Sequence, residues 1–229
     1  AVSICGAASR TTVMSDRIGL VLVKEARPVV IAPACPDYSH RDGRYDFRGI
    51  GTGVSLLAEQ HISFLKRLVR VLPEVEVRIL MADHEADDEA LCRAVGRTRA
   101  EFLYCVEASV AATRGKVAGY GWSVRLMTEE IPDLVAREEE IAQRIMSDER
   151  YFSRVVSETC LRLPMYERTC SKAAFSELME RSVRTSAQYG AMGEYVAVHN
   201  YLVCNHTTTN LAWYEETGAA IMHNQVSVY

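Results

Sequence analysis

"VVIAPACPDYSHRDGRY", residues 29–45, passes from an unbroken apolar run straight into turn formers, acids, a thiol and two tyrosines. With its lead-in, "RPVVIAPA" predicts a strand over 28–35. A run that is β-branched and apolar at successive positions suits a strand covered on both faces, as in a parallel sheet. A Gly-rich loop, "GRYDFRGIGTG", follows, and then the apolar period changes. From Val54 through Leu57, Ile62, Leu65 and Leu68 to Leu72 the apolar residues recur at helical spacing, and Pro73 stops that helix. "EVEVRILMAD" (74–83) predicts a second strand. Strand, helix, strand is the βαβ unit, with parallel strands and a right-handed crossover.

Beyond it the sequence predicts a helix over 89–115 interrupted at Gly96, a strand over 122–128, and a long acidic helix over 133–163 that stops at Pro164. A helix over 171–199, with Ser171 as its cap, a strand over 200–206 and a short helix over 209–219 complete the chain. The expected class is α/β, with a mostly parallel sheet flanked by helices. Residues 1–27 are expected to be a flexible arm and lead-in, and 28–229 a single catalytic domain.

The 229 residues are 48% hydrophobic, enough for a real core, and no apolar run is long enough to span a bilayer. The opening "AVSICGAASRTTVM" lacks the basic start and unbroken apolar middle of a signal peptide. Seven scattered cysteines, without a CxxC pair, point to free thiols in a reducing, cytoplasmic setting. A net charge of −4 makes the whole molecule no magnet for nucleic acid, yet stretches such as "RTRAEFL" and "TRGKVAGYGW" are locally basic.

In open parallel sheets ligands bind beyond the carboxyl ends of the strands. The unusual clusters all fall there: "CPDYSH" after the first strand, "DHEADD" after the second, "TEE" after the third, "NHTTTN" after the last. Cys35 reads equally as a buried small hydrophobe or as a nucleophile, because a strand end near a helix N-terminus favours the thiolate. Asp37 and Ser39 suit a turn or a site, and Tyr38 and Tyr45 suit packing or a pocket wall. Asp83, His84, Glu85, Asp87 and Asp88 have the look of a metal site but no metal-binding spacing, and the last two suit a helix start. No metal and no cofactor is therefore expected. "GIGTG" lacks the Lys-Ser/Thr of a phosphate loop. "QYGAMGEY" offers Glu194 beside Tyr189 and Tyr195 as an acid–base group if burial raises the carboxyl, with two glycines allowing close approach. His206, after "LVCN", reads as a base, a ligand or a satisfied core histidine.

The order of these elements resembles the aminoacyl-tRNA-dependent cyclodipeptide synthases, whose Rossmann-like fold is similar to the catalytic domain of class I aminoacyl-tRNA synthetases. The likeness rests on "VVIAPACPDYS", "VRILMADHEADD", "CRAVGRTRAEF", "AQYGAMGEYV" and "YLVCNH", and it is one of order and character rather than of identity. The family's serine nucleophile falls near Pro33, with Cys35 and Ser39 close by. Its tyrosine and glutamate stand four residues apart, against five for Tyr189 and Glu194, and its last-strand tyrosine appears as Asn205. The resemblance implies an aminoacyltransferase that takes two aminoacyl groups from charged tRNA and releases a cyclic dipeptide. Cys35 or Ser39 would carry the first group, and Glu194 with Tyr189 or Tyr195, together with His206, would manage protons. Asp37, Tyr38, Asp83, Glu85 and Asn205 would hold substrate, while Arg93, Arg97, Arg99, Arg114 and Lys116 would hold tRNA phosphates. The fungal arginine-using branch fits the acidic turn at 83–88. The first half is also similar to isonitrile synthases, which join an amino acid to a pentulose phosphate; "GIGTG" would then hold the phosphate. The class without chemistry is a metabolite-binding α/β domain.

Overall fold

The structure, a computed structural model, describes residues 27–35, 40–41, 44–45, 51–89, 92, 97–169, 175–205 and 208–223. The expected arm before residue 27 lies outside them, as do Asp37, Tyr38, Ser39, Arg93 and His206. Strand β1 (Val29–Ala34) is buried at all six positions. A short antiparallel pair, β2 (His40–Arg41) and β3 (Arg44–Tyr45), lies in the stretch read from sequence as loop. Helix α1 (Leu56–Val71) begins where the Ser55 hydroxyl accepts the Ala58 N–H, and Pro73 follows its end. Then come β4 (Glu76–Met81), a 3₁₀ turn (His84–Asp87), and α2 (Arg99–Val117), which opens on a Thr98–Glu101 capping box. β5 (Ser123–Leu126) leads into a one-turn α3 (Met127–Glu130).

The single acidic helix expected over 133–163 is two helices. α4 (Leu134–Ser147) ends at Asp148, whose extended backbone breaks the helix, and α5 (Glu149–Thr169) starts again at once. The side chain of Asp148 accepts the Arg150 N–H, so the acid serves as a start signal inside a run that reads as continuous. α5 also continues past Pro164 to Thr169. A proline in a helix interior costs about 3 kcal/mol, and α5 packs against α4 and α6. Helix α6 (Phe175–Val198), β6 (Leu202–Asn205), α7 (Thr208–Thr217) and β7 (Ala220–His223) complete the chain. The sequence reading missed β7, because "AIMH" is too short to show a period.

The five long-range strands form one all-parallel sheet in the order β5-β4-β1-β6-β7. The chain winds outward from β1 through β4 to β5, returns to lay β6 beside β1, and continues to β7. Right-handed crossovers in opposite directions must cover opposite faces. Accordingly α1 and α2 pack on Val30, Ala32, Ile79 and Val124, while α4 to α7 pack on Ile31, Leu80, Val203 and Ile221. This is the Rossmann-like α/β arrangement. Among the described residues no helix is long and apolar enough to cross a membrane.

The boundary between the two windings lies between β1 and β6, and Pro33 marks it. Proline cannot donate to a ladder and is unusual in a central strand. The β1–β6 register runs from Val30↔Leu202 to Ile31↔Val203 and stops short of it. The Pro33 carbonyl instead accepts Nε2–H of the buried His61 on α1, at 2.9 Å. That bond sets the tautomer: Nδ1 must then be the acceptor, and it takes the Cys204 S–H at 3.2 Å. Burial pushes the Cys204 thiol up, in keeping with a donor rather than a thiolate. Here α1 stitches the two strands together just below the point where they part.

Candidate functional site

A cavity opens at this parting, on the carboxyl edge of the sheet. The strand ends supply Cys35, His84 and Glu85, and the helices on one face supply Glu138 from α4, Tyr189 from α6 and Tyr214 from α7. Pro33, Ala82, Met127 and Met192 make the remaining wall largely apolar. The space between these atoms is about 460 Å³, open solvent included, of which about 30 Å³ admits the centre of a water molecule. That is room for about two waters.

Cys35, half-buried as a residue, directly follows β1. Burial pushes its thiol well above the ordinary range, and the Glu85 carboxylate, which accepts its hydrogen bond, pushes it further. At neutral pH the sulfur is therefore protonated and in contact with a base. A thiol so placed attacks only as its proton leaves, and Glu85 is the group positioned to take it. This differs from the expectation of a thiol that ionises readily. The strand end does not lie in a field of positive charge, but in a largely apolar pocket with carboxylates in its wall.

The second polar pair is His84 with Glu138. Nε2 of His84 lies 3.3 Å from Oε1 of Glu138, close enough to attract but not aligned as a hydrogen bond. Neither nitrogen of the buried His84 ring makes a well-aligned hydrogen bond, although the Gln188 side chain lies within hydrogen-bonding reach of it, and that glutamate oxygen and the Tyr214 hydroxyl make none either. Burial holds His84 below the ordinary imidazole value, against the opposing pull of Asp83, Gln188 and Asp87. Burial, helped by Glu85 and Asp83, lifts the Glu138 carboxyl to about 8, with Arg184 opposing. The Tyr214 phenol is raised by burial and by its neighbours Tyr189 and Cys35.

The cavity thus gathers Cys35, Glu85 and Tyr189 from among the residues singled out in the sequence. Others are placed elsewhere. Asp83 accepts the N–H of Thr128, at 3.2 Å, and the Thr128 hydroxyl, tying the end of β4 to α3. Asp87 pairs with Arg99 at 2.5 Å. Glu194 is clasped by Arg137 at 2.5 Å and Arg144 at 3.4 Å, joining α6 to α4. The Tyr195 hydroxyl donates to Glu130, which also holds Arg78 and Arg125. Neither Glu194 nor Tyr195 lines the cavity. Asn205 is buried at the end of β6 and does not line it either. The two glycines of "QYGAMGEY" serve helix packing: a Cβ on Gly190 would meet Ile141 of α4, and one on Gly193 would meet Thr217 and Tyr214 of α7.

The described members of the basic strip are exposed on or before α2, and three of them have partners within the chain. Arg99 holds Asp87, Lys116 holds Glu59 at 3.4 Å, and the Arg114 Nε–H donates to the Val124 carbonyl at 2.9 Å. Arg97 stands exposed just before the helix. No group of three His, Cys, Asp or Glu side chains able to hold a metal occurs among the described residues.

Glu138 and Tyr214 were not singled out in the sequence, and His84 was noted only in the metal-like run. For Glu138 a signal existed. In "AREEEIA" it alone of the three glutamates lies four residues after Leu134, three before Ile141 and seven before Ile145, on the buried stripe of α4. A carboxylate on an apolar stripe is a pocket candidate.

The chain matches no protein-family model, no curated protein and no solved structure.

Proposed function

We propose that the chain is an aminoacyltransferase that carries an aminoacyl group on Cys35, taken from aminoacyl-tRNA, and joins two such groups into a cyclic dipeptide. The observation that carries this reading is the Cys35 thiol hydrogen-bonded to the Glu85 carboxylate in a cavity at the sheet's switch point. Glu85 takes the thiol proton as sulfur attacks the ester carbonyl, the bond to the ribose oxygen breaks, and a thioester forms. The amine of a second aminoacyl-tRNA attacks that thioester, sulfur leaves and regains its proton, and a dipeptidyl-tRNA results. Its free amine attacks the remaining ester, closing the ring and releasing the tRNA. The esters bring the free energy, so the scheme needs no nucleotide. A charged-tRNA donor sets the reaction in the cytoplasm. Arg97, Arg99, Arg114 and Lys116 are the candidates for phosphate contacts; the exposed pairs of Arg99 and Lys116 are weak in solvent, so phosphate can replace their carboxylates.

The raised thiol favours one second reading, a metabolite-binding domain in which Cys35 only packs. Incubation with tRNA charged with labelled amino acids, followed by acid quenching, separates the two. The proposal expects a hydroxylamine-labile label on the protein that is lost in Cys35→Ala, and a cyclic dipeptide detected by mass. Neither adduct nor product from a full set of charged tRNAs overturns it. Undiminished turnover in Cys35→Ala removes the covalent route.

A further inference from the structure

The acyl-transfer reading leaves one proton unassigned. Glu85 accounts for the proton on sulfur, but the ribose oxygen cannot depart as a bare alkoxide without a steep barrier, so a second group has to supply a proton there. We propose that Glu138 is the general acid that protonates this departing oxygen, with His84 as the residue that positions it. The inference rests on the acyl-transfer reading and extends it to a residue on a different helix.

The geometry that points to Glu138 is a division of labour between two carboxyl groups in one cavity. Glu85 already accepts the Cys35 S–H and so acts as the acceptor. Glu138 reaches the same cavity from α4, its side chain only 15% exposed, with Oε1 in no aligned hydrogen bond. His84, its side chain 5% exposed, faces it at 3.3 Å, and neither ring nitrogen makes a well-aligned hydrogen bond, with Gln188 within reach of the ring. A buried imidazole and a buried carboxyl left without hydrogen bonds are costly unless another group engages them. Where two carboxyl groups share a site and their surroundings push them apart, the raised one is the acid and the other the base. The charged and titratable groups around Glu138 act in that sense. Glu85 and Asp83 hold its proton on, Arg184 opposes weakly, and burial keeps His84 neutral.

The proton count closes over the cycle. Glu138 gives its proton to the ribose oxygen as the ester C–O bond breaks. As a carboxylate it takes a proton from the second amine while that amine attacks the thioester. Glu85 returns the thiol proton to sulfur as the C–S bond breaks. Both residues end as they began.

The test uses two acyl donors that differ only in what leaves: an aminoacyl-tRNA, whose ribose oxygen needs a proton, and an aminoacyl p-nitrophenyl ester, whose phenolate does not. Acylation of Cys35 is followed by intact-protein mass in single turnover. Glu138→Gln is expected to slow acylation by the tRNA ester on the order of 10²-fold to 10⁴-fold, and by the nitrophenyl ester less than about threefold. Glu138→Asp, which keeps an acid, recovers part of the loss. With the tRNA ester, the unaltered protein loses rate as the pH passes about 8, the carboxyl's raised value, whereas Glu138→Gln does not. Equal slowing on both donors, or an unaltered pH profile in Glu138→Gln, overturns the general-acid role while leaving Cys35 acylation in place. No acylation of the unaltered protein by either donor overturns the acyl-transfer reading itself.

Discussion

Glu138→Gln is also expected to stabilise the protein in a pH-dependent way. The carboxyl moves from an ordinary 4.5 to about 8 on folding. Below about pH 4.5 both states hold the proton and folding is indifferent to it. Between the two values the unfolded chain ionises while the folded one does not, so the folded state binds more protons and loses stability as the pH rises. Above about 8 the penalty is complete. At roughly 1.4 kcal/mol for each pH unit, the penalty grows by about 3 kcal/mol between pH 5 and pH 8. Glutamine has nearly the same shape and no charge, so it escapes the penalty. His84 acts at the other end of the scale: its lowered value costs stability as the pH falls below about 6.5. Glu138 is protonated in that lower range, so the difference between parent and variant isolates the carboxyl. Urea unfolding followed by the fluorescence of the two tryptophans, at half-unit steps from pH 5 to pH 8, measures it. The advantage of Glu138→Gln is expected to rise across the range by about 3 kcal/mol. Two parallel stability curves, or a variant that is less stable at pH 8, would refute the buried-acid argument.

Three further outcomes follow from particular contacts. Arg78→Met removes the 2.5 Å partner of Glu130, whose side chain is 4% exposed, and is expected to cost about 3 kcal/mol in chemical denaturation; a loss under about 1 kcal/mol would mean that Arg125 and Tyr195 suffice. Gly193→Ala puts a Cβ 2.6 Å from the Thr217 hydroxyl and is expected to destabilise by about 1–3 kcal/mol, with partial recovery in the Gly193→Ala, Thr217→Ala double variant; strict additivity of the two changes would show no shared clash. Glu85→Gln removes the group that accepts the Cys35 thiol proton, so iodoacetamide labelling of Cys35 at fixed pH and acyl transfer are both expected to slow. Labelling slowed in step with acyl transfer is the outcome expected of a base; labelling that quickens instead would mean that Glu85 only raises the thiol and would argue against it as the base.

The apolar run at 29–34 and the helical spacing from Val54 to Leu72 carried the parallel sheet, because burial on both faces and a 3.6-residue stripe are local demands written in consecutive residues. The same logic placed Cys35 and Glu85 at one edge, since strand ends in a parallel sheet share a side. It did not reach the break at Asp148, where one acid inside a continuous helical pattern restarts the helix, or β7, whose four residues are too few to show a period. Nor did it separate Glu194 from Glu138. Both are helix glutamates, and only the packing of α4, α6 and the sheet puts one between two arginines and the other in a largely apolar cavity. Charge state follows the same division. A sequence names the ionisable groups, but which of them hold a proton depends on how far folding removes each from water and which charges it brings near.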